Sequence, residues 1–222
     1  MTIAGSGEQP ILNDTFYLEP SYVYVNNELD DTCKRTCNLG SDSPNRVTLE
    51  FSSEIKSFEN MFSYLTNLKS VDLSLFDASE ITSMNSMFDH CTNLISVNFG
   101  EINTSSVVDM RRLFYFCSSI NSIDVSRFDT SSVTNMISMF SECGSLTSID
   151  VSNFDTSNVI EMLDIFAYDR ALLSVDTSSF YTPKAWNLQG IFYCCDKLKF
   201  VDMHNFDGSL VTNFGYVFGF LG

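Results

Sequence analysis

Along most of this chain apolar and polar residues recur in a fixed order that repeats every 26 residues. Within 146–154, Leu146, Ile149, Val151 and Phe154 are apolar, while Ser148, Asp150 and Ser152 fall between them. Period-two alternation predicts a short strand over 148–152, with Ile149 and Val151 inward and the polar residues outward. A Phe-Asp-Thr-Ser stretch at 128–131 and again at 154–157 predicts a turn, because these polar side chains bond nearby backbone. Val133, Met136, Met139, Phe140 and Cys143 then follow at spacings of three, three, one and three. That spacing is helical, but Thr-Ser-Ser-Val-Thr-Asn at 130–135 is a poor helix former. The expectation is irregular or extended chain over 133–136 and one helical or 3-10 turn over 139–143.

The register holds without insertion. Phe62, Phe88, Phe114, Phe140, Phe166, Phe192 and Phe218 are 26 apart, Met84, Met110, Met136 and Met162 form a second file, and Leu188 and Phe214 continue it. One unit cannot bury its own apolar face; stacked units can. With one strand per unit at about 4.8 Å spacing, six or seven units predict a parallel sheet roughly 30 Å long.

The pattern Leu-x-x-Val-x-Val-x-x-Phe resembles the strand segment of a leucine-rich repeat. The unit FDTSSVTNMISMFSECGSLTSIDVSN, residues 128–153, is similar to the repeat of the BspA-like leucine-rich family, found in bacterial surface lipoproteins and in surface proteins of some protists. The resemblance spans about 47–222. It implies an α/β repeat solenoid, leucine-rich-repeat-like, with one short parallel strand per 26-residue unit, an irregular segment and a short helical or 3-10 turn. It also implies adhesion or partner binding at a cell or particle surface, without catalysis.

Residues 1–46 lie outside the register, hold three of the four prolines, and are expected to cap the first repeat. Residues 47–222 form about seven units: a degenerate one over 47–67, then units starting near 68, 94, 120, 146, 172 and 198. The last stops at YVFGFLG without a visible polar cap, so the expectation is either that the final turn caps itself or that this end docks on another subunit or partner, self-association included.

A formal charge of −16, from 28 acidic and 12 basic residues, argues against nucleic-acid binding; such a surface favours cations or basic partners, and more often simply keeps a protein soluble. No run reaches the roughly 18 apolar residues of a membrane span, and the start has neither the basic nor the apolar region of an export signal. No lipid-anchor cysteine stands near it, so a virion or an intracellular location stays open beside the surface one.

Cys91, Cys117, Cys143 and Cys195 share one file and are expected to be buried free thiols, since a file neither converges on a metal nor points its members at one another. Cys33 and Cys37 form a pair if the compartment is oxidising. Asp72, Asp124, Asp150, Asp176 and Asp202, with Asn98 between, line the outward face beside serine files. Either neighbouring hydroxyls satisfy this ladder or it binds a partner. The binding candidates are Ser122, Asp124, Ser148, Asp150, Ser174 and Asp176, with Tyr181 and Trp186 from the divergent sixth unit. Asp77, Asp129, Asp155 and Asp207 are expected to serve turns. The threonines at 104, 130, 156 and 182, broken by Ala78 and Gly208, are too irregular for an ice-matching surface. His90 and His204 stand without a nucleophile or an orienting acid, and no phosphate loop or metal-ligand spacing is present. No cofactor, metal or enzymatic activity is expected. The two leading readings are a non-catalytic protein-binding or adhesion module and a structural subunit of a virion or other assembled particle; an intracellular scaffold is a third.

Overall fold

The structure is a computed structural model that describes residues 1–41 and 43–219. Among the described residues there are ten short strands: β1 (Thr2–Ile3), β2 (Gly7–Pro10), β3 (Tyr22–Val25), β4 (Glu28–Leu29), β5 (Thr36–Leu39), β6 (Asn45–Glu50), β7 (Leu68–Asp72), β8 (Ser96–Asn98), β9 (Ser148–Ile149) and β10 (Ser174–Val175). They make one six-stranded sheet in the order β4-β3-β6-β1-β7-β8 and two two-stranded sheets, β10-β9 and β2-β5. The expected α/β solenoid of leucine-rich-repeat type is overturned. Among the described residues there is no helix, and the fold is mostly β, built of several small sheets.

The reason lies in where the backbone donors go. Over 136–142 a helix would spend its N–H groups on carbonyls four residues back. Here Phe140 N–H reaches Ile165 O at 3.0 Å and Glu142 N–H reaches Ala167 O at 2.9 Å, both in the following unit. Intervening donors close tight turns, such as Met139 N–H to Met136 O at 3.2 Å. Ser138 and Glu142 take left-handed φ values of 53° and 63° to allow this alternation. The same two positions are left-handed from unit to unit, at Asn60, Ser86, Arg112, Asp164 and Gly190, and at Tyr64, His90, Phe116, Tyr168 and Cys194. Only Gly190 is a glycine, so most sites carry the roughly 1–2 kcal/mol cost of that conformation. Bonds between units and apolar burial outweigh it.

The expected continuous parallel sheet is also corrected. β7 pairs with β8 and β9 with β10, both parallel, but no strand is assigned in the unit starting at 120. The continuous ladder runs elsewhere, through single parallel bridges Ser57↔Ser83↔Asp109↔Asn135↔Glu161↔Asn187↔Asn213. Stacking along it buries the phenylalanine file from Phe62 to Phe192; successive ring centroids from Phe62 to Phe218 lie 5.3–6.0 Å apart and nearly parallel.

Two further files join the units. Thr130 Oγ1 donates to Asp155 O at 3.0 Å and accepts Asp155 N–H at 2.8 Å, and Thr104 and Thr182 do the same for Asp129 and Asp207. These threonines are buried. The thiols of Cys91, Cys117, Cys143 and Cys195 donate to Phe62, Phe88, Phe114 and Phe166 carbonyls at 3.0–3.1 Å. All five free cysteines, Cys194 included, are buried.

Ahead of the repeats, β1 lies antiparallel between β6 and β7 and joins the leading strands to the first unit. Cys33 and Cys37 are joined by a disulfide. Arg35 donates to the carbonyls of Asn13, Phe16 and Leu18 at 2.6–3.3 Å, which holds the loop between β2 and β3. Part of the YVFGFLG ending, residues 220–222, lies outside the described residues.

Candidate binding face

Each polar strand position is followed by a turn that its own side chain closes. Asp124, Asp150 and Asp176 accept the N–H of Ser126, Ser152 and Ser178 at 2.9–3.0 Å. Ser126 and Ser152 hydroxyls donate to the same carboxylates at 2.7 and 2.6 Å. Asn98 fills the gap in the file with the same bond, to Gly100 N–H at 3.1 Å. The carboxylate is thus satisfied two residues along its own chain rather than across a ladder, and the captured N–H is withdrawn from sheet pairing.

The serine hydroxyl and then the backbone N–H hold Asp124, Asp150 and Asp176 below the usual carboxylate range. For Asp176 the charges of Asp150 and Asp202 push the other way, so the file is electrostatically connected. Ser122, Asp124, Ser148, Asp150, Ser174 and Asp176 are all exposed. The repeat brings these six onto one surface as parallel files, with Ser148 paired to Ser174 in the β9–β10 ladder.

Tyr181 and Trp186 do not join that file. Tyr181 stands in the turn file of Asp129, Asp155 and Asp207, where its carbonyl accepts Thr156 Oγ1 at 2.8 Å. In that same file Asp77, Asp129, Asp155 and Asp207 accept an N–H two residues on at 2.8–3.0 Å. Trp186 lies past this turn, its carbonyl bonded by Thr212 N–H at 2.9 Å. Both rings are exposed, and no ring contact joins them among the described residues.

The expectation that neither histidine has an orienting acid is overturned by the residues next to them. Asp89 Oδ1 lies 2.5 Å from His90 Nδ1, and Asp202 Oδ1 lies 2.6 Å from His204 Nδ1. His90 is half-buried between the rings of Tyr64 and Phe116, at centroid distances of 4.5 and 4.9 Å. Burial pushes the Asp89 carboxyl up despite the imidazole. Arg112 stands over Tyr115 at 5.3 Å and Arg170 over Tyr168 at 5.9 Å, which extends an aromatic and arginine edge. The signal for this edge is the residue two places after the phenylalanine file, aromatic or histidine at Tyr64, His90, Phe116 and Tyr168.

The family described as "Mycoplasma protein of unknown function, DUF285" matches residues 56–172 and 123–220. It is a repeat family associated with BspA-like surface proteins, and the match does not carry the leucine-rich assignment. No curated protein matches, and no solved structure does.

Proposed function

We propose that this chain, which belongs to the DUF285 family, is a non-catalytic protein-binding or adhesion module that works at a cell or particle surface. One observation carries the reading. Asp124, Asp150 and Asp176 form an exposed file of carboxylates whose orientation is set by their own turns. A partner with lysines or arginines meets charges that are already ordered, so little side-chain entropy is lost on contact. The bonds that fix these carboxylates also keep them ionised into the acid range, so the face stays negative. The overall charge of −16 steers such a partner toward it and repels nucleic acid.

Asp124→Asn/Asp150→Asn/Asp176→Asn isolates the charge, because Asn98 already makes the same turn bond. Binding of the native and triple-variant proteins to polylysine is measured from low to physiological salt. The expected result is weaker binding and a shallower salt dependence in the variant. Equal affinities with equal salt slopes would remove the face from the function.

A second reading, a structural subunit of a virion or other particle, draws on a different feature. Phe214 and Phe218 are 50% and 43% exposed, whereas Leu188 and Phe192 in the same files are fully buried. A neighbouring subunit, or a further unit of the stack, covers such a face.

A further inference from the structure

We infer that the cleft between β6 and the first repeat is a docking slot for an extended strand of a partner protein, one that alternates apolar residues with lysine or arginine. This rests on the protein-binding reading and adds to it a second contact and the chemistry of the partner segment.

The slot lies in line with β1, between β6 and the first repeat. β1 sits between β6 and β7, with Met1 and Val47 exchanging N–H···O bonds at 2.9 Å each way. In an antiparallel pair, residues two apart on one strand face the same neighbour. Leu49 N–H and C=O therefore point to the side that Val47 faces, next to Met1, where none of the described strands pairs with them. On the opposite wall, the N–H and C=O of Asp77 have no partner among the described residues. Where a threonine stands 25 residues earlier, the equivalent groups of Asp129, Asp155 and Asp207 are bonded by its hydroxyl; Asp77 and Asn103 have Ser52 and Ala78 there instead, and only Asp77 lines the slot. Both walls thus offer unpaired backbone groups that an extended chain can bond.

The space fits such an occupant. Two hollows of 370 and 330 Å³ adjoin here and share Leu49, Phe51, Leu75 and Phe76. Phe76 is only partly buried, whereas Phe128, Phe154 and Phe180 in its file are 3%, 1% and 0% exposed because a preceding unit covers them. Leu75 stands fully exposed at the rim, where later units carry Glu101, Arg127, Asn153, Ser179 and Asn205. The acidic side chains lining the slot, Glu50, Glu54, Asp72, Asp77 and Glu80, are all exposed and outnumber its two positive groups, the Arg46 side chain and the Met1 ammonium. Apolar walls select apolar residues at alternate positions, and the acidic rim selects basic ones between them.

The probe is the peptide acetyl-Lys-Val-Lys-Val-Thr-Val-Lys-amide, titrated into isotope-labelled protein by NMR. The expected result is a shift and slowed hydrogen exchange at the Leu49 amide, with shifts at Phe51, Leu73 and Phe76. The analogue with glutamates for lysines leaves these unmoved. Leu75→Lys, at a fully exposed position that folding does not need, weakens binding by about tenfold through like-charge repulsion and lost contact. Shifts confined to the surroundings of Asp124, Asp150 and Asp176 would refute the slot while leaving the protein-binding reading intact. No shift at any site up to millimolar peptide would also refute it. So would a Leu49 amide as protected as that of Val47 before peptide is added, since the slot would then be filled by the chain's own preceding segment or by a second copy.

Discussion

Asp169 stands in the thiol file, where Cys117, Cys143 and Cys195 occupy the equivalent positions, and it is completely buried. Its Oδ1 accepts Cys143 N–H at 2.8 Å, while Oδ2 has no partner. Desolvation pushes its carboxyl well above the usual range, so the folded protein holds it protonated where the unfolded chain does not. Asp169→Cys restores the file. A thiol there is placed to donate to Phe140 O, as each neighbouring cysteine donates to the carbonyl 29 residues earlier. Cys143 N–H keeps Phe140 O, already at 3.3 Å.

Removing an unsatisfied buried polar group is worth about 1–3 kcal/mol, partly offset by the lost bond to Cys143. A pH term adds to this. Above about pH 4 the unfolded carboxyl releases its proton and the folded one retains it, so native stability falls by about 1.4 kcal/mol per pH unit until the folded group ionises. The variant lacks that fall. Asp89, Asp164 and Glu142, whose carboxyls burial also pushes up, act in both proteins and cancel in the difference. Urea denaturation at pH 4, 5 and 6 is expected to show the variant more stable, by a margin that widens with pH. Parallel stability curves, or a variant less stable throughout, would refute the reasoning.

Two further substitutions probe the stack. Phe140 is fully buried between Phe114 and Phe166, at 6.0 and 5.6 Å, and Phe140→Ala is expected to cost about 3–5 kcal/mol in urea melts. A negligible change would mean that the ring file does not hold the units together. Thr130→Val keeps the shape but strands Asp155 N–H and C=O, for an expected loss of about 2–4 kcal/mol. Hydrogen exchange at the Asp155 amide should quicken in the same variant, and unchanged exchange would count against the clamp.

The repeat, its period and the inward files were legible in the sequence because burial leaves an apolar mark at each position. Ile149, Val151, Phe154, Met136 and Phe140 are all buried, as their pattern requires. The acidic file was legible as a surface, and the turn role of Asp129 and Asp155 followed from the chemistry of short polar side chains. The binding slot left no such mark. It arises where none of the described strands pairs with the end of β6, and only Leu75, apolar at a position that is polar in later units, hints at it.

What the sequence alone determined is which side chains face the interior and that the units stack in register. The tertiary structure decided what the backbone does between them. Helical spacing at Met136, Met139, Phe140 and Cys143 is equally met by a chain of tight turns, since both bury the same residues. The choice depends on whether Phe140 N–H bonds within its turn or to Ile165 O, 25 residues away. Side-chain hydrophobicity records burial and carries no record of a hydrogen-bond partner. The mostly-β stack therefore appears only once neighbouring units are in place to accept those donors.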